Sequence, residues 1–202
     1  ANRWLTTKNV GLFGMPYCKF SVLFKKMFLK LSTIFLRLII FMYVKQFCNV
    51  RFGSEVSASF SLSNGVCQGK ILGGFAFCFY CYDFYDILKH SGYGCFIDGV
   101  YAVVYGYSDD DILLAPTHSA LSEMIKLAEI YFSSHGLQFS TDPNPKKSKT
   151  KCIAWLLKPI PLLQLTLCGN PLPWVDKIVH LGITVTNQRN PLESDINIKK
   201  AR

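Results

Sequence analysis

Acidic residues are scarce in this chain, and so are the features that mark secreted or membrane-spanning proteins. Only 13 Asp and Glu stand against 22 Lys and Arg among 202 residues, a net charge of +9. Such a surplus favours an anionic partner, nucleic acid or a membrane surface. No run is long enough to span a bilayer. The most apolar one, "LSTIFLRLIIFMYV" at 31–44, falls short of the roughly 20 residues needed, and Arg37 interrupts it. It reads as a buried helix, and no membrane partner is expected. A basic–apolar–small leader is also missing. The opening "ANRWLTTKNV" is polar and begins without Met, the form expected of a fragment. Zinc would need four ligands. Cys78 and Cys81 make a lone "CFYC" pair, and His90, His118, His135 and His180 show no ligand spacing. The eight cysteines therefore read as buried free thiols, and the expected compartment is reducing and intracellular, cytoplasmic or nuclear.

Apolar residues, by contrast, are plentiful. Half the chain is apolar and 14% is aromatic, which supports a substantial core and excludes global disorder. From Phe20 to about Gln46, apolar residues including Leu23, Met27, Ile34, Leu38 and Met42 recur at helical spacing. "NVRFGSEVSASFSLSNG" alternates around a Gly-Ser turn as a hairpin does. "ILGGFAFCFYCYDFYDILKH" predicts a helix, and "FIDGVYAVVYGY" and "ILLA" predict strands, with a turn at Asp98–Gly99. In "THSALSEMIKLAEIYFSSHG", Thr117 or Ser119 can cap a helix. Leu121, Met124, Ile125, Ala128 and Phe132 form its apolar face, and Gly136 can end it. A basic, Pro-rich loop between strands follows, then two further strands, "LLQLTLCGNPLPW" and "IVHLGITVTN". No internal repeat is visible. The order argues an α+β fold.

The stretch that carries chemistry is "YGYSDDDILLAPT" at 105–117. Three adjacent acids in a turn are commonly just solvated, since Asp side chains accept backbone hydrogen bonds there. Here apolar, strand-forming segments press in from both sides, and the acids are expected at the hairpin tip. Held near a core, they need a compensating cation, and Mg²⁺ prefers carboxylate oxygens. Two chemistries use such an arrangement. Asp109 and Asp111 would form a D-x-D grip on the metal–diphosphate of a nucleotide-sugar, as in metal-dependent sugar-nucleotide transferases. Alternatively, Asp109 and Asp110 would hold metal in two-metal nucleotidyl transfer.

Beyond that spacing, "GYSDDDILLAPTHSALSEMIKLAEIYFSSHGLQFSTDPNPKKSKTKCIAW" resembles the palm of reverse transcriptases from non-LTR (LINE-type) retrotransposons, with their Y-x-D-D hairpin. "SLSNGVCQGKIL" resembles the family's S-N-G-V-R-Q-G block, and "LCGNPLPWVDKIVHLGITVTN" the strand pair after the palm, in the same order. The resemblance implies a right-hand palm, an antiparallel sheet backed by helices, with partial fingers and the start of a thumb. It divides the chain into a degenerate first-acid segment (1–17), fingers and palm (18–95), palm with the hairpin (96–160), and a primer-grip-like hairpin with the start of the thumb (161–202). It further implies RNA-templated DNA synthesis, with an RNA template, a DNA primer, deoxynucleoside triphosphates and Mg²⁺ or Mn²⁺. Asp109 and Asp110 would be the catalytic metal ligands, and Tyr107 would lie beside the primer end. Asn64, Gly65, Gln68 and Gly69 would line the template–nucleotide side. Lys146, Lys147, Lys149 or Lys151 would meet phosphate or the leaving pyrophosphate. His180, Leu181 and Gly182 would belong to the primer-holding hairpin.

The departures from the family are specific. Its first catalytic acid belongs to a D-x-x-x-A-F-D segment whose acids would fall near Val10 and Pro16, and no Asp or Glu occurs before Glu55. Cys67 replaces the usual Arg, "ILGG" replaces I-L-S-P, and Asp111 adds a third charge with no catalytic duty expected of it. The pattern implies a partial copy with impaired turnover, or a catalytically inactive nucleic-acid-binding remnant.

Overall fold

A computed structural model of the chain describes residues 3–11, 32–44, 47–61, 71–107, 110–144, 147–156 and 161–187. Two compact units divide it: Ala1–Gly11, Asp83–Ser134 and Gln138–Arg202 form one, Leu12–Tyr82 and His135–Leu137 the other.

The first unit is organised around strand β1 (Arg3–Gly11). No alternation in "RWLTTKNVG" announces a strand; pairing along both edges makes it one. On one edge it pairs antiparallel with β9 (Asp110–Ala115), from Trp4↔Ala115 to Asn9↔Asp110. On the other it pairs with β11 (Lys151–Trp155) and then β10 (Gln138–Phe139). Strand β8 (Val104–Tyr107) closes the sheet beyond β9. A separate hairpin, β6 (Cys95–Ile97) and β7 (Val100–Ala102), precedes it, turning at Asp98 and Gly99 as the Asp-Gly pair predicts.

Helix α3 (His118–Ser134) packs against β9 and β1. Its start matches the sequence: Thr117 Oγ1 accepts the Ala120 N–H at 3.1 Å, satisfying one of the free donors of the first turn. Leu121, Met124, Ile125, Ala128 and Phe132 are all buried, joined by Tyr131, and Gly136 follows with φ 69°. Phe84 meets Phe132 edge-on at 4.7 Å, so the last part of helix α2 (Ile71–His90) shares this core. The opposite face of the sheet carries a smaller cluster, in which Ile112 and Leu114 pack with Ile153 and Ile178. Ile178 comes from the hairpin of β14 (Lys177–His180) and β15 (Ile183–Thr186), tied to β11 where Trp155 Nε1–H donates to the Thr186 carbonyl at 2.8 Å. Strands β12 (Thr166–Leu167) and β13 (Asn170–Pro171) make one more short hairpin.

In the second unit, β3 (Arg51–Phe52) and β4 (Glu55–Val56) form the expected hairpin across Gly53, framed by the pairing of β2 (Phe47–Cys48) with β5 (Phe60–Ser61). Helix α1 (Thr33–Val44) corrects the expectation of a buried helix. Leu36 is buried, while Ile34, Phe35, Leu38, Phe41 and Met42 are exposed. Helical spacing selects the conformation, but burial depends on neighbours that local sequence does not name. In α2, Phe77, Tyr80 and Cys81 are buried, and the Tyr80 hydroxyl donates to the His135 carbonyl at 2.6 Å. The thiols are a second correction: Cys81, Cys95 and Cys152 are buried, whereas Cys78 and Cys168 are exposed. Among the described residues, no helix is long and apolar enough to cross a membrane.

Candidate active site

The acids are not all at a hairpin tip. Asp110 and Asp111 lie inside β9, opposite Tyr107 and Gly106 of β8, and Asp109 falls outside the described residues. Burial alternates along β9: Asp111, Leu113 and Ala115 are buried, while Asp110, Ile112 and Leu114 are half-buried. A strand sends successive side chains to opposite faces. The two carboxylates therefore diverge, which relieves the repulsion their adjacency suggests.

Asp111 is 2% exposed. The Tyr85 hydroxyl of α2 donates to its Oδ1 at 2.8 Å, supplying a hydrogen bond to a carboxylate removed from water. Gly106 makes room for that bond. A Cβ there would sit 2.6 Å from Tyr85 Oη and 2.7 Å from Asp111 Oδ1, closer than side-chain atoms tolerate. Only glycine lets the strand pass under the pair. Asp111 is thus a fixed part of the hairpin's inner face. A D-x-D grip needs both carboxylates presented to ligand, so burial of Asp111 argues against the sugar-nucleotide arrangement.

Neither Tyr85 nor Gly106 stood out in the sequence. A glycine between two tyrosines in a strand is the signal that could have found the close approach. Tyr85 sits in a helix dense with aromatics and offers no such mark.

On the other side of the site, β1 bears on the acids through its register. Asn9 pairs with Asp110, so Val10, where the family's first acid was expected, is one residue beyond that pair. The whole strand, "RWLTTKNVG", contains no carboxylate. Pro16 lies outside the described residues, as do Asn64, Gly65, Gln68, Gly69 and Lys146. Tyr107 is 64% exposed at the end of β8, directly opposite Asp110.

The basic loop is more ordered than its composition implies. Lys147 and Lys149 are exposed and alternate with buried Ser148 and Thr150. The Ser148 hydroxyl donates to the Thr150 carbonyl at 2.9 Å. The hydroxyls anchor the segment and the ammonium groups face water. Lys151 is half-buried in β11, opposite Thr7 of β1. His180 ends β14, paired with Ile183, and Leu181 and Gly182 form the turn of the β14–β15 hairpin, with φ 49° and 79°.

Could these residues hold a divalent ion? Mg²⁺ is commonly bound by one or two carboxylates, waters and substrate phosphates. Asp110, half-buried on the face opposite Asp111, could offer one carboxylate to such an ion, and Asp109 lies outside the described residues. Among the described residues, no group of three or more potential metal ligands gathers. A pair of ions bridged by a third carboxylate is not provided for by β1.

No family model and no curated protein matches the chain. Its fold is nevertheless similar to that of a solved structure, apo telomerase from Candida tropicalis truncated from its C-terminal domain. The TM-score is 0.57 at 13% identity, over 92% of this chain. The chain spans about a third of that telomerase chain's length, 34%. At this identity the likeness concerns the fold: a mixed arrangement of helices and antiparallel sheets.

Proposed function

We propose that the chain is a partial palm of a reverse-transcriptase-type polymerase, one that binds nucleic acid and turns over poorly. The observation that carries this reading is the β8–β9 hairpin, with Tyr107 opposite Asp110 and β9 paired in register with β1. The likeness in fold to a telomerase supports the reading, as does the +9 charge. The Y-x-D-D spacing and the ordered flanking motifs favour the non-LTR retrotransposon type. In this reading Asp109 and Asp110 hold Mg²⁺, or Mn²⁺, which when bound would neutralise charge on the triphosphate and activate a primer hydroxyl. Tyr107 offers its exposed ring to the primer end. Lys147 and Lys149, with Lys146 and Lys151, attract phosphate. The turn at His180, Leu181 and Gly182 steadies the primer, and Asn64, Gly65, Gln68 and Gly69 line the template–nucleotide side. Its partners are an RNA template, a DNA primer and deoxynucleoside triphosphates.

Impaired turnover follows from β1. Without a carboxylate at position 10 the acids lose the group that would share a second ion. Primer extension on an RNA template with Mg²⁺ or Mn²⁺ tests this, alongside measurement of duplex affinity against salt. The wild-type chain should bind an RNA–DNA duplex with strong salt dependence and extend nothing. Val10→Asp, one residue beyond the Asn9–Asp110 pair, should yield detectable product. Template-dependent product from the wild type, abolished by Asp109→Ala, would overturn the impaired reading. Absence of salt-dependent binding would overturn the nucleic-acid reading altogether.

A further inference from the structure

A cleft of about 460 Å³ opens beside the sheet, and of its lining residues only Tyr85 and Gly106 belong to the site described above. Its walls are Tyr85 and Lys89 of α2 and the run from Val100 to Gly106 along β7 and β8. Three of these are tyrosines, and two have their hydroxyls already engaged. Tyr85 donates to Asp111 at 2.8 Å, and Tyr101 Oη accepts the Gly94 backbone N–H at 2.9 Å. A ring tethered at its tip loses little freedom when a ligand stacks on it, so these walls are preorganised. Phe96, 5.3 Å from Tyr101 between ring centres, braces that ring. Tyr105 stands 56% exposed.

Lys89 supplies the charge. It is exposed in the last turn of α2, and no ion pair among the described residues engages it. Strand β8, which contributes Val104, Tyr105 and Gly106, is the sheet's edge among the described residues, so its outer backbone groups have no strand partner. Aromatic faces, a backbone edge and a cation thus converge on one cavity. Its volume falls within the roughly 300–1,000 Å³ of small-molecule sites.

We propose that this cleft binds a nucleotide, with its base against the tyrosine rings and its phosphate at Lys89. An inorganic anion would leave the rings without a role, and a neutral aromatic would leave Lys89 without one. Stacking accepts any base, so the class recognised is the nucleotide, with little base preference. The site needs no metal, and it adjoins the acids of β9 through Tyr85, whose hydroxyl holds Asp111.

The test is calorimetric titration of adenosine 5′-monophosphate into the full 202-residue chain, at low salt and with EDTA present. One-to-one saturation is expected, roughly tenfold tighter than with adenosine or inorganic phosphate, because the charged and stacking contacts act together. Lys89→Ala should weaken the monophosphate about tenfold and leave adenosine unchanged, while Tyr105→Ala should weaken both. Lys89→Gln, which keeps the stem and removes the charge, should repeat the first result. A short single-stranded oligodeoxyadenylate separates the two sources of this chemistry. Tighter binding of the oligomer identifies a strand as the occupant, and weaker binding identifies the free nucleotide. The proposal is overturned by absence of saturable binding, by phosphate matching the monophosphate, or by unchanged affinity in both Lys89 variants. EDTA removes any ion at Asp109 and Asp110, so a failure here leaves the polymerase reading untouched, and the reverse also holds.

Discussion

Two consecutive hairpins, β6–β7 and β8–β9, each carry aspartate and treat it in opposite ways. Asp98 sits in the turn of the first, exposed, with φ 50° beside Gly99 at φ 79°. Positive φ at both central residues suits the tight twist of a two-residue hairpin loop. The same pairing recurs at Cys168–Gly169 (φ 52° and 76°) and at Leu181–Gly182 (φ 49° and 79°). Asp, Cys and Leu occupy the first position, each at positive φ, and glycine takes the second. Asp111 has no such latitude. It lies mid-strand, 2% exposed, and depends on a hydroxyl from α2 and a glycine across the ladder. An aspartate in a turn is a local matter, whereas one in a buried strand is held by three segments of chain.

That contrast can be broken most directly at Gly106. Gly106→Val forces a side chain into Tyr85 and Asp111, and should cost about 3 kcal/mol in urea unfolding through strain and loss of their bond. Retention of wild-type stability would show that the strand slides freely and that the close approach is not required. Tyr85→Phe comes next, at about 1.5–2 kcal/mol, since the carboxylate loses a donor while the ring stays. In a double-mutant cycle with Asp111→Asn, the two changes should couple by about 1 kcal/mol; additivity would mean that the bond contributes nothing of its own. In the open hairpin, Gly99→Ala should cost about 1 kcal/mol from positive φ alone, and Asp98→Asn should stay within about 0.5 kcal/mol.

The smallest effect is expected at the turn with cysteine. The Cys168 backbone N–H donates to Glu129 Oε1, and partial desolvation of this largely exposed thiol, together with the Glu129 charge, raises it above its ordinary value. The neutral thiol is favoured in the fold, so the associated stability is present below the unfolded pKa and fades as pH rises through the folded one. Glu129→Gln should speed iodoacetamide alkylation of Cys168 about twofold at pH 8, read by peptide mass spectrometry. A slower rate would mean that Glu129 exposes the thiol instead of shielding it.

Local patterns carried much of the architecture. The capped helix from His118 to Ser134, the Asp98–Gly99 turn and the hairpin around Gly53 follow from propensities that act within a few residues. The acids were legible as a group, and their neighbourhood was not. Whether a carboxylate meets water or a tyrosine depends on strand alternation and on a helix more than twenty residues away in the chain. Strand β1 is the clearest case. Its composition lacks the pattern of a strand, and its place at the centre of the sheet comes from backbone bonds to β9, β10 and β11.

By itself the sequence determined the basic charge, the helices and turns, and the ordered motifs that set a Y-x-D-D run between apolar strands. Those are properties of composition and short-range spacing, where each residue's preference acts alone. Only tertiary structure decided that Asp110 and Asp111 part to opposite faces, that Tyr85 holds the buried one, and that the strand beside them brings no acid. Register between distant strands makes those choices, because pairing sets which side chains meet and which remain in water.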